Sequence, residues 1–235
     1  MSDPLGYVPG MKNNYSEIAF VLDRSGSMET ACEAAIAGFN YFLEEQQQSE
    51  GLIKLTLVLF DHDYFVPIQA LPVAEILSLN NETYVPRGTT ALLDAIGRTT
   101  DELGARLAAM PEVERPGQVI VAILTDGLEN SSQTYTWEHI ARVIRRQTEQ
   151  YRWSFLFLGA NQDAIATAAQ MHIAASNASC YAADAAGLRA ASRSMSRKVR
   201  GMRRLFEGNA SVQEKHDAAA PLSRLTAEED ANERR

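Results

Sequence analysis

Asp23, Ser25 and Ser27 alternate through the run Asp23-Arg24-Ser25-Gly26-Ser27, which places one carboxylate and two hydroxyls directly after the apolar stretch Ile18-Ala19-Phe20-Val21-Leu22. Hard oxygen ligands with one carboxylate among neutral donors suit Mg2+ or Mn2+, which keep several waters and take few protein carboxylates. Taken alone, the same residues also suit an Asx-turn followed by a helix N-cap, because Asp and Ser satisfy the free N–H groups at a helix start. Two further pieces lie downstream. Gly88-Thr89-Thr90 precedes a helical run, and Thr125-Asp126-Gly127 follows the apolar run Val119 to Leu124.

An apolar strand ending in D-x-S-x-S, then a Thr in a Gly-containing loop, then a second strand ending in T-D-G, resembles the von Willebrand factor A domain. The resemblance covers roughly residues 15 to 200, and order, spacing and strand context agree. It implies a metal-ion-dependent adhesion site in which Ser25 and Ser27 bind Mg2+ or Mn2+ directly and Thr89 binds directly or through water. Asp23 and Asp126 would hold coordinated waters. Thr90 competes with Thr89 for the third role, and only the place of Thr89 next to Gly88 favours it. The partner implied is a protein that offers an acidic side chain to the open position of the metal. Arg24, expected to be exposed in its loop, would add a second contact to that acid, or be an ordinary solvated residue. Asn161, after Leu158-Gly159-Ala160, is expected on the same rim, although a turn-forming Asn explains it equally well.

The elements that must position these residues follow from apolar periodicity. Ile36, Phe39 and Leu43 mark a helix from about Glu29 to Gln48, and Leu52 to Phe60 alternates as a strand. The turn Asp61-His62-Asp63 leads straight into Tyr64 to Ile68, a strand that should return antiparallel, with Pro67 suited to an edge. Helices are expected at Pro72 to Leu79, Ala91 to Met110, Trp137 to Gln150, about Asp163 to Met171, and Ala185 to Phe206. Strands are expected at Gln118 to Leu124, Trp153 to Leu158, and near Cys180-Tyr181-Ala182. This alternation implies an α/β class, with a doubly wound, Rossmann-like, mostly parallel central sheet, one antiparallel edge strand and helices on both faces. In such sheets the binding crevice lies beyond the carboxyl ends of the strands, where the winding reverses. Asp23 and Asp126 would meet there if their strands are neighbours.

With 235 residues and 46 % apolar content, one large domain is the better fit: an extension over 1–14, a domain over 15–206 and a tail over 207–235. The formal charge of −8 argues against a general nucleic-acid binder. Cys32 and Cys180 form no C-x-x-C motif and are expected to be core thiols. Met1 to Gly6 lacks a basic n-region and an apolar h-region, and no apolar run approaches the ~20 residues of a membrane span, so the expectation is cytoplasmic, with no membrane partner.

From Arg189 to Arg204 there are seven positive residues and no acidic one, beside a stripe of Leu188, Ser192, Met195, Val199, Met202 and Phe206. This pattern predicts a docking helix with a solvated basic face, with binding of an acidic partner or a nucleic acid as the alternative. Beyond Gly208, the stretch rich in Ala, Glu and Asp is expected to be a disordered acidic or partner-binding tail. Deleting 208–235 should therefore leave stability unchanged, whereas deleting 185–235 should lower it.

An enzyme reading lacks its parts. An aspartyl-phosphate mechanism would want a second carboxylate two residues after Asp23, where Ser25 stands, and neither G-x-x-x-x-G-K-[ST] nor G-x-G-x-x-G occurs. His62, His139, His172 and His216 show no ligand spacing, and His62 is expected to be a solvated turn residue. The function expected is a divalent-metal-dependent protein-protein interaction module rather than an enzyme, with metal-dependent hydrolysis and a nucleic-acid adaptor as runners-up. Relatives of this compact, bacterial-looking type commonly act beside AAA+ ATPases, or with kinases and phosphatases in stress or defence gene clusters.

Overall fold

The computed structural model describes residues 12–160 and 163–235. Six strands, β1 (Lys12–Asp23), β2 (Leu52–Phe60), β3 (Tyr64–Pro72), β4 (Pro116–Thr125), β5 (Ser154–Gly159) and β6 (Ala178–Cys180), form one sheet in the order β3-β2-β1-β4-β5-β6. Every neighbouring pair is parallel except the β2–β3 hairpin at the edge. Successive side chains of a strand face opposite sides, and both sides of β1 are apolar because both are covered. Ile18, Phe20 and Leu22 pack with α1 (Cys32–Gln47) and α5 (Ala185–Phe206), whereas Ala19 and Val21 pack with α2 (Leu92–Ala109), α3 (Trp137–Tyr151) and α4 (Ala164–Gln170). The winding reverses between β1 and β4, so the crevice expected at a switch point opens above these two strands.

Several elements depart from the sequence expectation. Pro72 to Leu79 is not a helix: only Val73–Glu75 forms a short 3-10 turn, and Ile76 is extended. Side chains of α1 take over the backbone bonds a helix would have made, with Gln47 Nε2 donating to the Val73 and Ile76 carbonyls and Asn40 bonding both the N–H and the carbonyl of Leu79. β6 lies two residues earlier than expected, and Cys180 is exposed rather than a core thiol.

The largest departure is the tail. Residues 207–235 are ordered as α6 (Val212–Ala219) and α7 (Leu222–Glu233), both packed on α5. Ser211 and Glu214 form a reciprocal capping box at the start of α6. Leu222 and Leu225 of α7 are fully buried, and Ser194 of α5 hydrogen-bonds Thr226 of α7. The basic face of α5 is only partly open to solvent, because the acidic tail covers much of it. Arg197 pairs with Asp217, Glu228 and Glu229, while Arg189 and Arg193 both reach Glu233. Arg200 pairs with Glu45 of α1, Arg203 and Arg204 with Glu207, and Lys198 Nζ donates to the carbonyls of Ala218 and Ala220. Each of the seven cations thus has a partner within the chain, which removes the motive for the nucleic-acid reading.

Because α7 supplies apolar side chains to the core, truncation after 207 should lower the melting temperature, the reverse of what composition alone suggests. Leu222→Ala in the full chain should cost about 3 kcal/mol in urea unfolding. In the middle of β1, Glu17 is fully buried, accepts from the Tyr15 hydroxyl and pairs with Arg106 of α2 at 2.5 Å. Burial pushes the Glu17 carboxyl up, against the pull of Tyr15 and Arg106. Arg106→Ala leaves that charge uncompensated and should destabilise by about 3 kcal/mol at pH 7. A carboxyl whose folded pKa is raised stabilises fully below its unfolded pKa and loses that contribution as pH rises through the folded value, so the penalty should shrink at pH 4. Equal penalties at the two pH values would contradict this account.

Candidate metal centre

β1 and β4 pair with Leu22 opposite Leu124, so Asp23 and the Thr125-Asp126-Gly127 turn leave the sheet side by side. The Asp23 carboxylate is fully buried and both its oxygens are engaged: Oδ1 accepts the Ser25 N–H at 2.7 Å, and Oδ2 accepts the Thr125 hydroxyl at 2.5 Å. The first of these bonds is the Asx-turn anticipated from the sequence. The capping half of that alternative does not form: Ser25 occupies the N-cap of the short 3-10 helix Gly26–Ala31 but makes no side-chain capping bond. Its Oγ lies 3.1 Å from Ser27 Oγ, and Ser27 in turn donates to Asp126 Oδ1 at 2.7 Å.

The third loop contributes Thr90. Thr89 is exposed, whereas Thr90 is buried with its Oγ1 against Gly127, where an added Cβ would come within 2.8 Å of it. The glycine of T-D-G therefore leaves room for that hydroxyl. Gly88 adopts φ +67°, and a Cβ there would meet His62 Nδ1 at 2.0 Å, so the loop carrying the threonines is closed only with glycine at this position. Two buried tyrosines peg the strand ends from beneath: Tyr84 donates to the Asp23 carbonyl at 2.6 Å, and Tyr181 to the Thr125 carbonyl at 3.0 Å.

Burial pushes the Asp23 carboxyl up to about 6, opposed by its bonds from Thr125 and Ser25. Burial also raises Asp126, opposed by the Ser27 hydroxyl. A cation beside them would favour both charged forms. Asp23, Ser25, Ser27, Thr90 and Asp126 offer only oxygen donors, and Ser27 is open to solvent. The donor set therefore fits a hard divalent ion such as Mg2+ or Mn2+, with room for water.

Arg24 is not the exposed loop residue expected. It is 9 % exposed, its Nε lies 3.0 Å from Asp61 Oδ2, and its guanidinium stands over the Phe65 ring. Arg87 binds the same Asp61 oxygen at 2.9 Å and also Asp63, and Asp61 Oδ1 accepts the Asp63 N–H. Asp61, His62 and Asp63 bring their ligand atoms within 4.8 Å of one another, separate from the oxygen set above. With two guanidiniums on Asp61, this cluster is a neutralised ion-pair network rather than a cation cage. Asn161 lies outside the described residues. Sequence reasoning named Thr125 within the T-D-G piece but gave it no role, and gave none to Tyr84 or Tyr181 at this site. The hint available for Tyr84 was an aromatic standing alone in a polar loop.

No family model matches the chain, and no curated protein matches it. Solved structures do. VWA2, the ArnB paralog from Sulfolobus acidocaldarius, aligns over 77 % of this chain and 44 % of its own, at 16 % identity and a TM-score of 0.50. A von Willebrand factor type A protein from Catenulispora acidiphila aligns over 77 % of this chain and 42 % of its own, at 15 % identity and a TM-score of 0.49. The manganese-loaded Plasmodium vivax TRAP protein aligns over 64 % of this chain and 59 % of its own, at 20 % identity and a TM-score of 0.45. The chain thus matches from about two-fifths to three-fifths of the length of these structures. Among the described residues no helix is long and apolar enough to cross a membrane. With its switch-point crevice, its sheet order and its likeness to VWA2, the chain has the von Willebrand factor A-type fold.

Proposed function

We propose that the chain binds a protein partner through a divalent cation, Mg2+ or Mn2+, held by Ser25, Ser27 and Thr90, with Asp23 and Asp126 acting on its bound waters. One observation carries this reading. Three hydroxyls and two carboxylates from three separate loops converge at the carboxyl ends of the neighbouring strands β1 and β4. Thr90 takes the role for which Thr89 was the sequence choice, because its hydroxyl is the one packed against the T-D-G turn. Both Asp23 oxygens already have donors, which suits a carboxylate that acts from the outer sphere. When bound, the cation supplies a position for an acidic side chain of the partner.

Binding is favoured over hydrolysis because the titratable groups beside the rim are spoken for. Asp61 and Asp63 are tied to Arg24 and Arg87, and His62 lies between those carboxylates. Arg24, committed to Asp61, fits the role of shaping the rim better than that of reaching a partner; Arg87 is the half-exposed guanidinium there. A cytoplasmic setting, and an AAA+ ATPase or a kinase–phosphatase system as the partner class, belong to the same proposal and rest on the resemblance alone.

Titration calorimetry should show Mg2+ or Mn2+ binding in the micromolar-to-millimolar range, as expected of a site that retains waters. Asp23→Ala and Asp126→Ala should each abolish it, since unit charges ~4 Å apart interact by ~4 kcal/mol at an effective dielectric of ~20. Thr90→Ala should weaken it far more than Thr89→Ala does; the opposite order would return the third ligand to Thr89. Unchanged binding in both aspartate variants would sink the metal assignment. With Mn2+ present, turnover of phosphoesters, peptides or nucleotides should not exceed that of the Ser25→Ala, Ser27→Ala double variant. Turnover that disappears in this variant would make the protein a hydrolase.

A further inference from the structure

Thr90 has no strand of its own to hold it, yet its backbone is fixed on both sides by one exposed residue of the loop that follows β4. The Thr90 N–H donates to Asn130 Oδ1 at 2.9 Å, and the Thr90 carbonyl accepts the Asn130 N–H at 3.0 Å. Asn130 lies four residues after Asp126, so this reciprocal pair ties the threonine loop to the loop that carries the second aspartate. Two carboxylates make the tie rigid. Glu129 accepts from the backbone N–H groups of Ser131 and Ser132, from the Ser132 hydroxyl, and from the N–H of Leu93 in the first turn of α2. Asp94, also in that first turn, accepts from the N–H groups of Gln133, Thr134 and Tyr135 at 2.8 to 2.9 Å. Ser132 Oγ closes the set by accepting the Asp94 N–H at 3.0 Å.

The first-turn N–H groups of a helix have no partners inside it, and a local capping residue usually serves them. At α2 the N-cap residue Ala91 makes no side-chain capping bond, and residues 129–132 of the opposite loop do that work instead. A capping function alone would need Glu129 and Ser132 but not Asn130, whose side chain bonds Thr90, before the helix begins.

We propose that Asn130 is a positioning residue for the metal centre: braced by Glu129 and Asp94, it sets where the Thr90 hydroxyl stands relative to Asp126. This rests on the metal reading above and extends it to a residue that touches no ion. Groups that orient metal ligands typically contribute 10- to 100-fold in affinity. Asn130 therefore acts on the ion through Thr90, which its side-chain oxygen and its backbone N–H hold on both sides.

The test uses the full chain, Mn2+ by calorimetry, and melting temperature measured in chelator. Asn130→Ala should weaken Mn2+ binding about tenfold or more while the melting temperature in chelator shifts little, since Asn130 is exposed. Asn130→Asp keeps an acceptor at the right reach and should restore affinity. Asn130→Glu carries the same charge on a longer side chain and should not. Adding Asn130→Ala to Thr90→Ala should cause almost no further loss, because the two act in series. Wild-type affinity in Asn130→Ala, equal rescue by Asp and Glu, or fully additive losses would each overturn the positioning role. If Asp23→Ala still abolishes binding in those cases, the metal reading stands without it. If the wild-type chain binds no Mn2+, both fall together.

Discussion

Leu22 of β1 lies opposite Leu124 of β4, and the arrangement at the carboxyl ends of both strands depends on that register. A slip of one residue would turn Asp23 to the other face of the sheet and separate it from Thr125. The register is held by what surrounds it: Ile18, Phe20 and Leu22 fill one core, Ala19 and Val21 the other, so a slip would misplace both sets at once. Tyr84 and Tyr181 hold the last carbonyl groups of the two strands. Burial pushes both phenols well above their usual range, so they remain neutral donors across the pH range in which the aspartates titrate.

The parts of the fold written in continuous apolar runs were legible in the sequence. β1 and β4 contain and extend their expected runs, because burial on both faces leaves little choice of residue type, while β2 and α5 fall on their expected residues through apolar alternation and a stripe at steps of four and three. What failed was whatever depended on side chains elsewhere in the chain. The stretch after Pro72 lost its helix because Asn40 and Gln47, some thirty residues earlier, satisfy its backbone. The sequence spacing of Gly88-Thr89-Thr90 could not say which hydroxyl turns inward; that is decided by the contact with Gly127 on another loop. Arg24 was misjudged for the same reason, since its partner Asp61 comes from the end of β2.

The tail is a more instructive miss. Its composition is that of a segment with little to bury, and alone it has few apolar anchors: Leu222, Leu225 and the small residues around them. Its order comes from complementarity, because the acids of α6 and α7 meet a helix whose cations lie in matching rows. Two local signs were present all along, the Ser211–Glu214 capping box and Pro221 immediately before α7. A net charge of −8 for the whole chain hid the fact that the two signs are matched across one interface.

The margins of the sheet carry a consequence of a different kind. A continuous sheet with apolar strands invites another chain to pair along an open border, and both borders here are poor templates. On one side β3 presents Pro67, which has no N–H to offer, and Ala70 at φ +50° breaks the ladder beside it with a local kink. On the other, β6 is only three residues long and runs at once into the turn before α5. The fold can therefore keep a crevice open above β1 and β4 while denying any other chain, a second copy of itself included, a backbone on which to grow a seventh strand.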